Sequence, residues 1–459
     1  MDYNAIDYFF DDIDSFYAEL SDVIKQPYDT EDRVHHITSQ YIQLLVRFQK
    51  DFITDHKHMA QVAYKLIDST FYLEHSTTIL SDILKNFALP SMEDSRRYIT
   101  YSLLLYAGKE DARWMQYIVS EATLQKRNRL LCKIMDELTS LVDNRLLMSV
   151  ALSLAFEMGK VAKFRKNDIA LISLDKINFL LDLVESTRND SDESFNYDII
   201  QLLLVFNEQF MMAKNQINWL VEALVKGIES TATFGENLIF MLNRSNDTCN
   251  QLLILKLLYS IFTEPKLYEY FYTNDLYVLV DIILREVCDL GDDKESETLR
   301  DAYLRILKPL LINTQLRRQP YKKNEIHQVI CSLITPYMDK QVEPSSKRLA
   351  QRILEDWYEQ ICQEPVAPVL GVHVRDAVIH SNQGFEHAAI IKQSSTPTLT
   401  TTTPTSLSPT STSTSSLSSS SPSSESPAYM SSSPLNTTTS PTSTSVKTIN
   451  ENDRGVVCS

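Results

Sequence analysis

Eight glycines in 459 residues is the feature that most narrows the fold. Gly371, Gly384 and Gly455 lie at or beyond the end of the periodic region. The body of the chain therefore has only Gly108, Gly159, Gly227, Gly235 and Gly291. Hairpins and phosphate-binding loops need residues at positive φ, and glycine usually supplies them. A chain this poor in glycine is expected to be helical, with no convincing strand and no phosphate-cradling loop.

The apolar pattern says the same. From about residue 4 to 363, apolar residues recur at spacings of three and four in blocks separated by short polar breaks. Tyr41, Leu44, Leu45, Phe48 and Phe52 form one stripe. Leu252, Leu255, Leu258, Tyr259 and Phe262 form another, and Leu276, Leu279, Val280, Ile283 and Val287 a third. Leu304, Leu307, Leu310 and Leu311 form a fourth. The breaks carry helix start and stop signals: Pro90-Ser91, Asn246-Asp247-Thr248, Thr263-Glu264-Pro265, Thr273-Asn274-Asp275 and Gly291-Asp292-Asp293. Roughly fifteen helices with short connections follow from this pattern.

Several segments, such as Leu202 to Phe206 and Leu252 to Leu258, are apolar on more than one face. Helices of that kind sit between neighbours in stacked layers. The expected fold is all-α, an armadillo/HEAT-like helical solenoid with degenerate repeats. The acidic segment Ser186 to Ser194 divides it into an N-terminal half, 1–190, and a C-terminal half, 195–363. The six scattered cysteines, none spaced as a zinc knuckle or redox pair, read as reduced and mostly buried thiols.

Residues 364–459 form a separate region, and 394 to 446 are almost entirely Ser, Thr and Pro. They lack the apolar mass to offset chain ordering and are expected to stay disordered. Thr396, Thr403, Ser408, Ser421, Ser426, Ser433 and Ser440 each precede a proline and are candidate sites of proline-directed phosphorylation. Pro365 and Pro368 give a minimal PxxP spacing, a weak signal for Src-homology-3 proteins.

Nothing in the sequence assembles a catalytic constellation. Walker, dinucleotide, nucleophile-elbow and zincin motifs are missing. His373, His380 and His387 have helical spacing but no cysteine or carboxylate framework. No cofactor and no metal is expected, and the chain reads as a binding protein, not an enzyme. A net charge of −16 argues against a general nucleic-acid or anionic-membrane binder. The start of the chain is acidic, without the basic segment of a signal peptide. The longest apolar stretch, Leu146 to Met158, is too short to span a bilayer. A cytoplasmic location is expected. Three basic clusters stand out: Lys126, Arg127 and Arg129; Lys160, Lys163, Arg165 and Lys166; Arg317, Arg318, Lys322 and Lys323. The first two read as solvated faces. The third follows an apolar helix and occupies a loop–helix junction. With Arg305 it forms the candidate partner-facing charge.

Four stretches carry a resemblance. They are ENLIFMLNR (Glu236 to Arg244), QLLILKLLYSIFT (Gln251 to Thr263), EYFYTNDLYVLVDIILRE (Glu269 to Glu286) and LRDAYLRILKPLLINTQLRRQPYKKNEI (Leu299 to Ile326). In order and spacing this region resembles the leucine-rich domain of the WISH/DIP/SPIN family, in its shorter fungal form without an N-terminal Src-homology-3 domain. The resemblance implies an armadillo-like fold. It also implies a non-enzymatic activator of the actin-related protein 2/3 complex. Such an activator needs no preformed filament. It promotes linear actin filaments that seed branched networks at endocytic patches. The implied location is the cortical actin patch, with actin filaments engaged indirectly. An armadillo-type scaffold or adaptor for other protein partners is the alternative. Glu355-Asp356-Trp357 superficially matches the acidic, tryptophan-ended tail of WASP-type activators, but its helical setting with Leu354 and Ile361 favours core packing by Trp357.

Overall fold

The structure, a computed structural model, describes residues 10, 12–87, 93–124, 127–213, 216–335 and 342–362. All of them belong to a compact unit, Met1–Pro365. A second unit, Val366–Arg454, lies outside the described residues. The Ser/Thr/Pro-rich region, with Thr396, Thr403, Ser408, Ser421, Ser426, Ser433 and Ser440, is therefore not described, and neither is the PxxP spacing.

Nineteen α-helices occur among the described residues. The first seven are α1 (Ile13–Ile24), α2 (Glu31–Arg47), α3 (Gln49–Phe52), α4 (His56–Ile67), α5 (Thr70–Phe87), α6 (Asp94–Glu110) and α7 (Ala112–Glu121). Then come α8 (Arg129–Glu137), α9 (Arg145–Val161), α10 (Lys166–Ile169), α11 (Leu174–Ser186), α12 (Ser194–Met212) and α13 (Trp219–Lys226). The last six are α14 (Ala232–Arg244), α15 (Thr248–Thr263), α16 (Thr273–Asp289), α17 (Lys294–Asn313), α18 (Lys323–Ile334) and α19 (Pro344–Ile353), and a π-helical turn, Leu354–Cys362, extends α19. The count exceeds fifteen partly because α3 and α10 are single turns, too short to show a period. Short polar side chains start many of the helices, as the breaks predict. Asp247 caps α15 by accepting from Cys249 N, and Asp293 caps α17 by accepting from Glu295 and Ser296 N.

The helices form two rows. One runs α2, α6, α9, α12, α15, α17, α19, each packed on the next. In the C-terminal half the other row runs α11, α14, α16, α18. A single apolar core is continuous from Phe16 to Trp357. Helices in the first row are enclosed on most sides, as the absence of a polar face predicts. Every residue from Leu202 to Phe210 in α12 is buried. This is the all-helical stack expected from the sequence.

The repeat that the sequence conceals shows in the side-chain bonds between layers. Tyr17 reaches Gln61 across 44 residues, Ser95 reaches Gln49 across 46, and Ser153 reaches Asp198 across 45. Lys256 reaches Glu208 across 48, Asn313 reaches Phe262 O across 51, and Ser346 reaches Asp301 across 45. Those separations, 44 to 51 residues, sit at or just above the length of a HEAT or armadillo repeat, about 40–47 residues.

Two expectations need correction. Thr123–Leu124 and Arg127–Asn128 pair as a short antiparallel hairpin between α7 and α8. Strands of two residues show no alternation, so no sequence period could reveal them. None of the four cysteines whose burial is described is buried: Cys132, Cys249 and Cys331 are half-buried and Cys288 is exposed. Cys249 packs against the core without being enclosed by it.

Burial forces the polar groups of the first row to find partners inside the fold. Gln209 donates to Gly159 O at 2.9 Å and Ala162 O at 3.1 Å, and accepts from Phe164 N at 2.8 Å. One amide thus ties off the end of α9. Asp198 accepts from Ser153 at 3.2 Å and from Ser149. Burial raises its carboxyl above the ordinary value, against the pull of those two hydroxyls.

Two predictions follow from this packing. A Cβ on Gly159 would lie 2.2 Å from Val205 Cγ1. Gly159→Ala should therefore lower stability by about 1–3 kcal/mol, and Val205→Ala should restore part of it in a double-mutant cycle read by chemical denaturation. Asp198 binds its proton more tightly folded than unfolded. It costs stability at neutral pH, and the cost fades as pH falls through its raised folded value towards 3.8. Asp198→Asn should melt higher than wild type at pH 7, with the gap closing near pH 4.

Candidate partner-binding surface

A groove of about 590 Å³ opens over the first row where α15, α17 and α19 lie side by side. Buried Leu255, Leu304 and Ile353 line its floor, with Ala302, Ile312 and Leu349 beside them. Lys256, Arg305, Lys308 and Arg352 stand among its walls. Met211 and Tyr259, 47% and 42% exposed, add apolar surface. The floor comes from stripes that the core needs, and the cations from positions between those stripes.

The cations differ in their freedom. Lys256 bonds Glu208 of α12 at 2.5 Å, and Lys308 pairs with Asp356 of the π-helical turn. Arg305 and Arg352 are exposed. Pro309 sits inside α17 and has no N–H to give, so the Arg305 carbonyl lacks its usual helical donor. That places a backbone acceptor in the same wall as an arginine side chain. Trp357 is fully buried beside this turn, as its helical setting predicted.

The other sequence candidates lie beyond the end of α17, which runs eight residues, ~12 Å of helical rise, past Arg305. Arg317 and Arg318 are exposed in and after a 3-10 turn, Gln315–Arg317. Lys322 is engaged within the fold, bonding Asp281 at 3.1 Å and Glu325 at 3.3 Å. Those carboxylates raise its ammonium above the ordinary lysine value. It also holds a left-handed backbone, φ 46°, at the start of α18. Lys323 lies 5.7 Å from the Tyr358 ring. The structure thus puts Arg305 on the groove, Arg317 and Arg318 on the adjoining turn, and Lys322 and Lys323 against neighbouring side chains. Sequence reasoning missed Lys256, Lys308 and Arg352, which belong to no basic cluster. The spacing of Arg305 and Lys308, which places them on one helix face, was the available signal.

Asn313-Thr314-Gln315 divides its labour between the local turn and the neighbouring layer. Thr314 is the residue that shapes the turn, donating to Leu310 O at 2.6 Å and accepting from Leu316 N at 3.3 Å. Asn313 donates instead to Phe262 O at 2.9 Å, and Gln315 to Phe271 O at 3.2 Å. Both carbonyls belong to the layer before. The two amides bond orphan or loop carbonyls of a neighbour, a task that local spacing cannot show.

No cluster of three or more His, Cys, Asp or Glu among the described residues could hold a metal ion. No helix among them is long and apolar enough to cross a membrane. The groove's chemistry is that of an apolar channel with cations on its walls, suited to a protein surface.

Residues 192–326, which include α12 to α17, the turn beyond it and the start of α18, match the family described as SPIN90/Ldb17, leucine-rich domain. The four stretches quoted from the sequence all fall within this match, which agrees with their resemblance to the WISH/DIP/SPIN family. Relatives of the chain include protein dip1 of Schizosaccharomyces pombe, 27% identical over 78% of this chain and 98% of that protein. Protein LDB17 of Saccharomyces cerevisiae is 27% identical over 71% of this chain and 74% of its own length. Protein LDB17 of Eremothecium gossypii is 23% identical over 66% of this chain and 70% of its own. The likeness to dip1 extends well beyond the leucine-rich domain, across most of the stack.

Asn313→Ala should leave Phe262 O without its side-chain donor and cost about 1–2 kcal/mol. The same change at the exposed Gln319 should fall within about 0.5 kcal/mol of wild type. Urea unfolding followed by circular dichroism separates the two.

Proposed function

We propose that this chain binds the actin-related protein 2/3 complex and activates it without a preformed filament, giving linear actin filaments that seed branched networks. The observation that carries the reading is the family match over residues 192–326, the region that also builds most of the groove. We place the protein in the cytoplasm, at cortical actin patches, with actin filaments engaged through the complex.

The mechanism is a shift of population. A complex with two arrangements responds to a ligand that prefers one of them, by no more than the difference in affinity. Moving the balance from 1:99 to 99:1 takes about 5.5 kcal/mol, within reach of a standard protein interface. A close-packed stack suits the task because its layers resist deformation while bound. In this proposal Arg305 and Arg352 meet acidic partner surface at the groove. Arg317 and Arg318 extend the contact along the turn, while Lys322 and Lys323 hold that turn in shape as well as contributing charge. Met211 and Tyr259 provide the apolar anchor that a hot spot requires.

Single-filament fluorescence microscopy tests this directly, with the full chain, the complex and actin monomers and no other activator. New linear filaments should appear in proportion to the protein. Arg305→Glu with Arg352→Glu, and separately Arg317→Glu with Arg318→Glu, should cut their number about tenfold at an unchanged melting temperature. If folded wild-type protein produces no filaments, the scaffold or adaptor reading takes its place.

A further inference from the structure

A short bow of chain beyond α17 is tied down at both feet and open at its crest. At the near foot Leu316 is fully buried, and the Gln315 side chain donates to Phe271 O at 3.2 Å. At the far foot the Tyr321 ring stacks on Tyr277 of α16, with centroids 4.2 Å apart and planes 17° from parallel. The Tyr321 hydroxyl donates at 3.2 Å to Asp281, one turn further along α16, and Lys322 pairs with the same carboxylate. Between the feet, Arg317, Arg318, Gln319 and Pro320 are all exposed.

The span has little freedom. Arg317 N donates to Thr314 O at 3.1 Å, and Arg318 N and Gln319 N donate to Gln315 O at 3.0 and 3.1 Å. Pro320 fixes its own φ and restricts the residue before it. Neither arginine side chain has an ion pair or hydrogen bond among the described residues. Asp281 and Glu325, the carboxylates at the far foot, are already engaged by Lys322. Tyr272 adds an apolar element beside the near foot. It follows Phe271, whose carbonyl receives the Gln315 bond, and at 72% it is the most exposed large apolar side chain described.

Those features select a ligand chemistry. A guanidinium is a planar two-pronged donor that matches a carboxylate. Two of them on a stiff span have already met much of the ordering cost of binding. An exposed aromatic ring is the residue type that anchors protein interfaces. The net charge of −16 turns away nucleic acid and anionic bilayers.

We propose that this bow is a preformed docking site for neighbouring carboxylates on a protein partner. Tyr272 is its apolar anchor, and Tyr321 is the positioning residue that holds the two arginines in place. The contact rests on the reading that the chain binds the actin-related protein 2/3 complex, and adds to it a second foothold with its own chemistry.

Binding of the full chain to fluorescently labelled complex, read by anisotropy at low and high salt, tests the proposal. Wild-type affinity should fall as salt rises. Arg317→Gln with Arg318→Gln should weaken binding about tenfold and flatten that salt dependence. Tyr272→Ala should weaken it about tenfold with the salt dependence kept. Tyr321→Ala alters no charge, yet should cost about threefold, while Tyr321→Phe, which keeps the stack, should bind as wild type does. Added to the double arginine variant, Tyr321→Ala should cost nothing more, a coupling that a general loss of stability would not produce. Thermal melting by circular dichroism checks that each variant is folded. Trypsin reads the bow without any partner: cleavage after Arg317 and Arg318 should be slow in the free wild-type chain and faster with Tyr321→Ala. If wild-type protein does not bind the complex, the functional reading falls and this contact falls with it. If wild type binds and the double arginine variant binds equally well, the contact alone is overturned. Equal losses from Tyr321→Ala with and without the arginines overturn its positioning role.

Discussion

The structure depends on one constraint: helices of the first row are enclosed by protein, so their polar groups have little water to turn to. A buried donor or acceptor left unmatched costs more than an ordinary hydrogen bond returns. Gln209, Asp198 and Glu208 each settle that cost by reaching into the adjoining layer. The same bonds set the distance and register between layers. The matching is not complete: in α6 the hydroxyls of Tyr98, Thr100 and Ser102 are buried without a partner among the described residues, and so are those of Thr38 in α2 and Tyr303 in α17. The first row thus holds both the tightest matching and an unmatched patch, and the difference between them is absent from any count of apolar residues.

The groove inherits its form from this arrangement. Its floor is the same apolar surface that closes the layers, left uncovered where α15, α17 and α19 run side by side. Its cations stand at the edge of that surface, some restrained by an acidic neighbour and some exposed. Rigidity and recognition therefore draw on one set of helices. A change at Leu304 would disturb both, whereas a change at Arg352 touches the surface alone.

Most of the fold was legible in the sequence because its signals are local. Helical stripes, caps such as Asp247 and the scarcity of glycine each act within one or two turns. The buried place of Trp357 followed from its helical neighbours in the same way. The site was less legible because it is made by distance. Arg305 and Arg352 lie 47 positions apart on two helices and share a wall only after folding. The role of Asn313 needed knowledge of where Phe262 O would arrive. Lys322 looked like one more cation in a basic run, yet its environment is set by Asp281, 41 positions earlier. Repeat length was hidden for the same reason: its marks are bonds between layers, carried by residues of many types.

Those bonds between layers have a mechanical consequence. Each links residues about one repeat apart, so cohesion is shared out link by link along the stack, with no central knot. Tension applied at the two ends would pass through every link in turn, and the weakest would yield first while its neighbours stayed shut. Early assembly needs only one pair of neighbouring layers to find each other, since a contact across about 45 residues demands no distant partner. A protein of this size can thus gather itself from any point outward, and loosen locally without coming apart.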